Sequence, residues 1–335
     1  MAQLCVLIPF YNEEEQLPKT LQAVREVLST LPEDYAGARI IACDDGSQDG
    51  SWQALREQQQ RDPLLSLLRF SRNFGKEAAI RALLREGLDE GADVLILMDG
   101  DLQHPPRYIP QMLAYWTQGY RIVDGVKEAR QKESAFNRLA ARSFYALFKR
   151  SSGLDLNNAS DFKLLDRQAA QAYLSCPEHE PFFRALSAWI GFRRRPLPFT
   201  VEERLCGESK WSSRQLFRLS YQAFAAFSSK ALLLIPWLCA AYWIFALILG
   251  LQTLIHWALG RSVSGFTTVI LLLLLVGGSI LLALSLIASY LQRICQALKQ
   301  RPPYFLEERR IAPAADRSQD SLHTESEPSS AIDHS

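Results

Sequence analysis

The sequence carries no excess of one charge. Its 37 Lys and Arg stand against 36 Asp and Glu, for a formal net charge of +1. The basic surplus of a nucleic-acid binder is therefore missing. None of its six cysteines, Cys5, Cys43, Cys176, Cys206, Cys239 and Cys295, forms a CxxC pair, and two fall in or beside apolar segments. Neither a disulfide framework nor a zinc site is expected, and a reducing cytosol is the simplest compartment. The opening Met-Ala-Gln has no basic stretch and no cleavage site, so no signal peptide is expected. Charge itself is scarce in one place. From Ala231 to Tyr290 only Arg261 is charged, while charge is dense on both sides. The averages of 48% hydrophobic and 22% charged residues hide that split. It points to a globular unit joined to a membrane anchor.

What is present in the first half is an alternation. Leu4–Phe10, Ala38–Cys43, Leu64–Phe70, Asp93–Met98 and Tyr120–Asp124 read as strands. Glu13–Thr30, Asp49–Gln60, Gly75–Glu90 and Arg107–Gln118 read as helices between them. Strand and helix alternating at this spacing predict an α/β unit with a mostly parallel, Rossmann-like sheet and helices on both faces. Ligands bind beyond the carboxyl ends of such strands. The polar strings Pro9–Glu13, Asp44–Ser47, Ser71–Lys76 and Asp99–Gln103 all fall there.

Ala231–Ile255 and Phe266–Leu291 each run about 25 residues without a charge, above the roughly 20 needed to cross a bilayer. His256–Gly265 is long enough only for a turn, so the two form a transmembrane hairpin. Arg293, Lys299, Arg301, Arg309 and Arg310 follow the second span, which places both chain ends in the cytosol by the positive-inside rule. The expected organisation is a cytosolic catalytic domain over 1–210, an interfacial helix over 211–230, spans within 231–292 and a cytosolic tail over 293–335. The tail is expected to be disordered from about residue 312. Ser134–Arg150 and Trp211–Lys230 mix aromatic with basic residues. Such stretches lie in the headgroup layer or pack on the sheet.

Asp99-Gly100-Asp101 follows the most apolar strand. Two carboxylates one residue apart at a strand end suit Mg²⁺ or Mn²⁺ shared with a diphosphate, because hard cations take oxygen ligands and share them with substrate phosphates. Asp44-Asp45-Gly46-Ser47 is either a helix-capping turn or a contact with a base or ribose. Arg72-Asn73-Phe74-Gly75-Lys76-Glu77 opens a helix whose N-terminus faces an anion or is simply capped.

Together these strings resemble a known family. Pro9-Phe10-Tyr11-Asn12-Glu13-Glu14, Asp44-Asp45-Gly46-Ser47-Gln48-Asp49-Gly50, Arg72-Asn73-Phe74-Gly75-Lys76-Glu77 and Met98-Asp99-Gly100-Asp101-Leu102-Gln103-His104-Pro105-Pro106 stand in the order seen in family-2 glycosyltransferases of the GT-A fold. Asp161–Arg167, Glu203–Trp211 and Arg301-Pro302-Pro303-Tyr304 resemble the polyprenyl-phosphate branch, which holds dolichol-phosphate mannose synthases and bactoprenol glucosyltransferases. The resemblance runs from about Cys5 to about Phe305. It implies a nucleotide-sugar site of Pro9, Tyr11, Glu13, Asp44, Asp45, Arg72, Lys76 and Asp99. Asp99 and Asp101 would hold the metal. Asp161 would stand beside the reacting centre, with Asp101 as its catalytic companion. Arg130, Arg138, Arg204, Ser209 and Lys210 would meet the acceptor phosphate. Gly100 stands where relatives carry Ala, a change expected to be harmless. Ala159-Ser160 replaces a Gly before Asp161, and Lys127 stands where many relatives have Arg.

The implied reaction is transfer of a hexose, from UDP-glucose first, to a polyprenyl phosphate at the cytosolic face of the inner membrane. GDP-mannose or modified-sugar donors stay open, as does a homo-oligomer. A processive polysaccharide synthase would carry a QxxRW string, which is absent. A catalytically silent scaffold would not need Asp99, Asp101 and Asp161.

Overall fold

The computed structural model describes residues 2–35, 37–127, 159–178, 182–200, 265–299 and 301–312, with scattered helical residues between 241 and 259. The stretches Ser134–Arg150 and Trp211–Lys230 lie outside the described residues, as do most of the first apolar run and the tail beyond 312.

The chain builds β1 (Leu4–Phe10), α1 (Leu17–Leu28), β2 (Arg39–Asp44), α2 (Ser51–Arg61), β3 (Leu65–Phe70), α3 (Lys76–Asp89), β4 (Val94–Leu97), α4 (Ile109–Thr117) and β5 (Ile122–Lys127). Next come β6 (Ala159–Asp166), α5 (Arg167–Ser175), α6 (Phe183–Trp189), β7 (Arg194–Phe199), α7 (Phe266–Leu298) and β8 (Leu306–Arg310). The eight strands make one sheet in the order β7-β5-β6-β4-β1-β2-β3-β8. All run parallel except β6 and β8.

The central strands are nearly continuous apolar runs because both their faces are covered. β4 is buried throughout, as is β1 apart from Pro9. One face carries α1, α2 and α4, which insert Leu17, Leu21, Trp52, Leu55, Ile109 and Met112. The other carries α3, α5 and α6, with Ala79, Leu83, Ala169, Tyr173 and Phe183. Small residues let α3 lie close to the sheet. A Cβ on Gly87 would fall 2.6 Å from Leu95 Cδ2. The expected parallel sheet with helices on both faces is therefore present.

β6 and β8 were not legible in the sequence. β6 slots antiparallel between β4 and β5 and places Asp161 near their carboxyl ends. Ser160 lies inside this strand and is fully buried, with its hydroxyl donating to Gly125 O at 2.7 Å. The Ala159-Ser160 departure thus falls in a strand and not in a turn. β8 brings the chain back from beyond α7 to the open edge of β3, with Leu306 opposite Phe70 and Arg310 opposite Leu67. Tyr304 stacks on Phe70 at 5.0 Å, and Ser71 N–H donates to Phe305 O at 3.0 Å. Arg309 makes two bonds to the buried Glu86, at 2.9 and 2.8 Å. Arg309 and Arg310, counted above among the charges flanking a span, therefore belong to the sheet.

Arg309→Ala is expected to lower stability by about 1–2 kcal/mol. Charge-assisted bonds are worth about 1.5–3 kcal/mol, and half-exposure of the arginine reduces that. The check is the denaturation midpoint of the full chain, with Glu86→Gln as the partner variant. An unchanged midpoint would mean the clamp contributes nothing.

α7 is continuous in backbone over 33 residues. Its side chains are described only in part, and among the described residues no helix is long and apolar enough to cross a membrane.

Candidate active site

The polar strings at the carboxyl ends of β1, β2 and β3 form one bonded unit. After β1 the chain turns through Asn12, which takes φ 52°. Asn12 N–H donates to Ser47 Oγ at 2.9 Å, and its side-chain oxygen accepts from Gln48 N–H at 2.9 Å. Glu13 N–H donates to Ser51 Oγ at 2.9 Å. Asp44 is fully buried and accepts from Ser47 N–H at 3.1 Å, and burial pushes its carboxyl up. Asp45 reaches across to the next string and accepts from Phe74 N–H at 2.7 Å and Gly75 N–H at 3.0 Å. Burial raises Asp45 to about 6 against those two bonds. Gly46 has φ 67°, and a Cβ there would fall 2.4 Å from the Arg72 carbonyl carbon. Only glycine lets the two loops touch.

Of the residues expected around the nucleotide, Tyr11 and Arg72 offer exposed surface. Arg72 lies over the Phe74 ring at 4.1 Å. Pro9 pairs with Cys43 near the end of β1, below Tyr11. Asp44 and Asp45 turn their carboxylates inward, to a turn and to a neighbouring loop. Gly100 is not interchangeable with Ala: a Cβ would meet Phe10 Cδ1 and Glu13 Oε2 at 2.6 Å. The Phe10 ring and the Glu13 carboxylate fill the space that the relatives' methyl group would take, and glycine fits beside them.

Beside this unit sits a compact charge centre. Lys76, at the start of α3, places its Nζ 2.5 Å from Asp99 Oδ1 and 2.7 Å from Asp161 Oδ2. Arg184, in the first turn of α6, donates from Nε to Asp161 Oδ1 at 2.7 Å and from Nη2 to Oδ2 at 2.9 Å. Burial alone would raise Asp161, but the Arg184 and Lys76 charges outweigh it and hold the carboxyl well below the carboxylate range. Burial would likewise lower Lys76, yet Asp161 and Asp99 keep it above its ordinary value. Glu77 accepts from Phe183 N–H at 3.0 Å, and burial, then the Asp161 charge, pushes it up to about 8. Lys127, at the end of β5, is pulled down by burial and then by Arg184.

His104 supports the Asp99 loop from beneath. Its Nδ1 accepts from Asp99 N–H at 2.9 Å, so the ring is neutral with its proton on Nε2. Burial pulls it to about 4. It stacks on Phe162 at 5.2 Å and meets Phe199 edge-on at 5.7 Å. Asp101 accepts from Gln103 N–H at 3.0 Å, in a turn where Leu102 takes φ 59°.

Among the described residues no group of three His, Cys, Asp or Glu side chains gathers to hold a metal. A metal shared with a diphosphate does not need a third protein ligand. The donor set, Asp99 with Asp101, is all hard oxygen. The Lys76 ammonium drawn onto Asp99 marks a place where a cation is stabilised, so that carboxylate suits the ion.

The structure thus brings Lys76, Asp99 and Asp161 together. Arg130, Arg138, Arg204, Ser209 and Lys210 lie outside the described residues. Arg184 and His104 were missed as site residues. His104 stood inside a string already singled out, while Arg184 belongs to a short helix that carries no motif of its own.

The sequence pattern defining "Glycosyl transferase family 2" matches residues 5–174. The chain belongs to that family. It is a glycosyltransferase. The "Uncharacterized glycosyltransferase YkcC" of Bacillus subtilis (strain 168) is 32% identical, over 91% of this chain and 93% of its own length. The "SfII prophage-derived bactoprenol glucosyl transferase" of Shigella flexneri is 28% identical, over 91% of this chain and 97% of its own. Among solved structures, the mannosyltransferase PcManGT of Pyrobaculum calidifontis, in complex with GDP-Man and Mn²⁺, covers 84% of this glycosyltransferase and 86% of its own chain. Its identity is 16% and its TM-score 0.46.

Proposed function

We propose that this glycosyltransferase moves a hexose, glucose from UDP first, onto a polyprenyl phosphate at the cytosolic face of a bacterial inner membrane. The observation that carries the reading is the register of β8. Its first residue, Leu306, lies opposite Phe70 at the carboxyl end of β3, which is the end where the charge centre sits. Only seven residues separate it from the end of α7, a reach of at most about 28 Å. A donor site tied this closely to a helix with exposed apolar side chains suits an acceptor that lives in a bilayer. Along α7 the side chains of Val269, Leu273, Leu281, Leu284 and Leu291 are more than half exposed. Exposed apolar side chains on one helix favour a cover, and lipid supplies one. The likeness to Shigella bactoprenol glucosyl transferases over nearly their full length supports the same acceptor.

In this reading a phosphate oxygen of the acceptor attacks the anomeric carbon from the face opposite the diphosphate. The bond from that carbon to the diphosphate oxygen breaks, the nucleoside diphosphate leaves, and the configuration inverts. Asp99 and Asp101 would hold Mg²⁺ or Mn²⁺, which when bound supplies Lewis-acid stabilisation of the leaving group. Arg184, Lys127 and Lys76 supply positive charge around two anionic substrates, which is positioning and electrostatic work. The acceptor is already anionic near neutral pH, since a phosphate monoester has its second pKa at about 6.

The test is full-length protein in detergent with labelled UDP-glucose, GDP-mannose and a UDP-aminoarabinose derivative, with and without undecaprenyl phosphate. The expected result is lipid-extractable label from one donor, UDP-glucose first, only when the lipid phosphate is present. Label passing to a soluble or glycan acceptor without the lipid would overturn the reading.

A further inference from the structure

We infer that Lys76 is a built-in occupant of the metal position, which must be drawn away by the donor's diphosphate before a divalent ion can bind tightly. The inference rests on the donor-site reading above but not on the identity of the acceptor.

The geometry is specific. The Lys76 ammonium is in contact with Asp99 on one side and Asp161 on the other. Asp99 is one of the two carboxylates that would hold the ion, so ammonium and divalent cation compete for the same oxygen. A metal arriving alone would have to displace the ammonium into a region already holding Arg184 and Lys127, both cationic neighbours of Lys76 and Asp161. A metal arriving with a nucleoside diphosphate meets no such penalty, because the diphosphate offers the displaced ammonium a new anion. Lys76 can swing toward that anion from its fixed root in the first turn of α3. Its side chain is 37% exposed, so the ammonium is not sealed in. His104, the remaining titratable neighbour of Asp99, is neutral and adds no charge to the competition. The result is an ordered site that takes metal and nucleotide together and leaves metal alone weakly bound. By linkage, metal and nucleotide then raise each other's affinity by the same factor.

The experiment is Mn²⁺ binding to the full chain in detergent, followed by the paramagnetic signal of free Mn²⁺. Titrations are run alone and with saturating UDP, with GDP in parallel. Wild type should bind Mn²⁺ at least tenfold more tightly with nucleotide than without. Lys76→Met should bind Mn²⁺ alone about tenfold more tightly than wild type, and the enhancement by nucleotide should shrink. Lys76→Arg should restore weak binding of Mn²⁺ alone. A lysine of merely structural importance would not give a gain in metal affinity when removed. Lys76→Met that binds Mn²⁺ alone no better than wild type, while nucleotide still enhances binding in wild type, would overturn the inference and leave the donor site standing. No Mn²⁺ binding to wild type with either nucleotide would overturn both.

Discussion

Asp99→Asn and Asp101→Asn are each expected to lower the rate of sugar transfer by about 10²–10³-fold or more, while the protein stays folded. The size follows from the job. Charge builds on the leaving diphosphate in the transition state, and losing one pre-placed stabilising group costs about that much. Here the carboxylate serves the metal, so its loss weakens ion and diphosphate together. Folding should survive because neither carboxylate is a core group. Asp99 is a quarter exposed, and the turn bond from Gln103 N–H to Asp101 can still be accepted by an asparagine oxygen. The loop also keeps its His104 support, which acts on the Asp99 backbone. The measurement is the initial rate at limiting Mg²⁺ and Mn²⁺, with the melting temperature as the folding control. Partial recovery at high metal concentration is expected of Asp99→Asn if it weakens the ion and does not distort the loop. Near wild-type rates in either variant at limiting metal would remove the assignment.

The contrast between what could and could not be read beforehand has physical roots. β1 and β4 were legible because central parallel strands are apolar on both faces, so composition alone marks them. The strings at the ends of β1 to β4 were legible as a set because a doubly wound sheet puts strand ends in one place. How the strings engage was not legible. Asp45 reads like a ligand contact, yet its carboxylate bridges to the backbone of Phe74 and Gly75, a partner 29 residues away. β8 was hidden because Leu-Glu-Glu-Arg-Arg has no apolar alternation. It is an edge strand whose specificity lies in Arg309 meeting Glu86 and Tyr304 meeting Phe70. Arg184 was hidden for a similar reason: an arginine on a short helix has no local signature, and only the fold brings it to Asp161. Lys76 was read as a donor-site residue, but its contact with both acidic residues belongs to tertiary structure alone.

Asp161→Asn should lower transfer by roughly 10²-fold, a loss of the size misplacement produces, and the deficit should stay constant from about pH 7 upward. Two roles for Asp161 give different profiles. An obligatory base is worth roughly 10²–10⁴-fold, and its removal should matter less as the acceptor loses its own proton. A group that positions others costs the same at any pH above the acceptor's pKa of about 6. The structure favours the second role. Both oxygens of Asp161 are taken by cations, Oδ1 by Arg184 and Oδ2 by Arg184 and Lys76. Those charges hold its carboxyl well below the ordinary range, far from the near-operating pKa that makes a good base. With a depressed pKa the group is ionised throughout the assay range, so no titration of its own bends the profile. An asparagine can accept from one cation but presents an N–H₂ group to the other, so Arg184 and Lys76 lose their common anchor. If Asp161 works through Arg184, then Arg184→Ala should show a similar deficit. The double variant should then cost little more than either single one, as expected for residues acting as a unit. The measurement is a pH–rate profile of the wild type and the three variants at saturating acceptor, with metal binding checked at each pH. A deficit in Asp161→Asn that fades as pH rises, or losses that multiply in the double variant, would make Asp161 a base in its own right and not the anchor of the two cations.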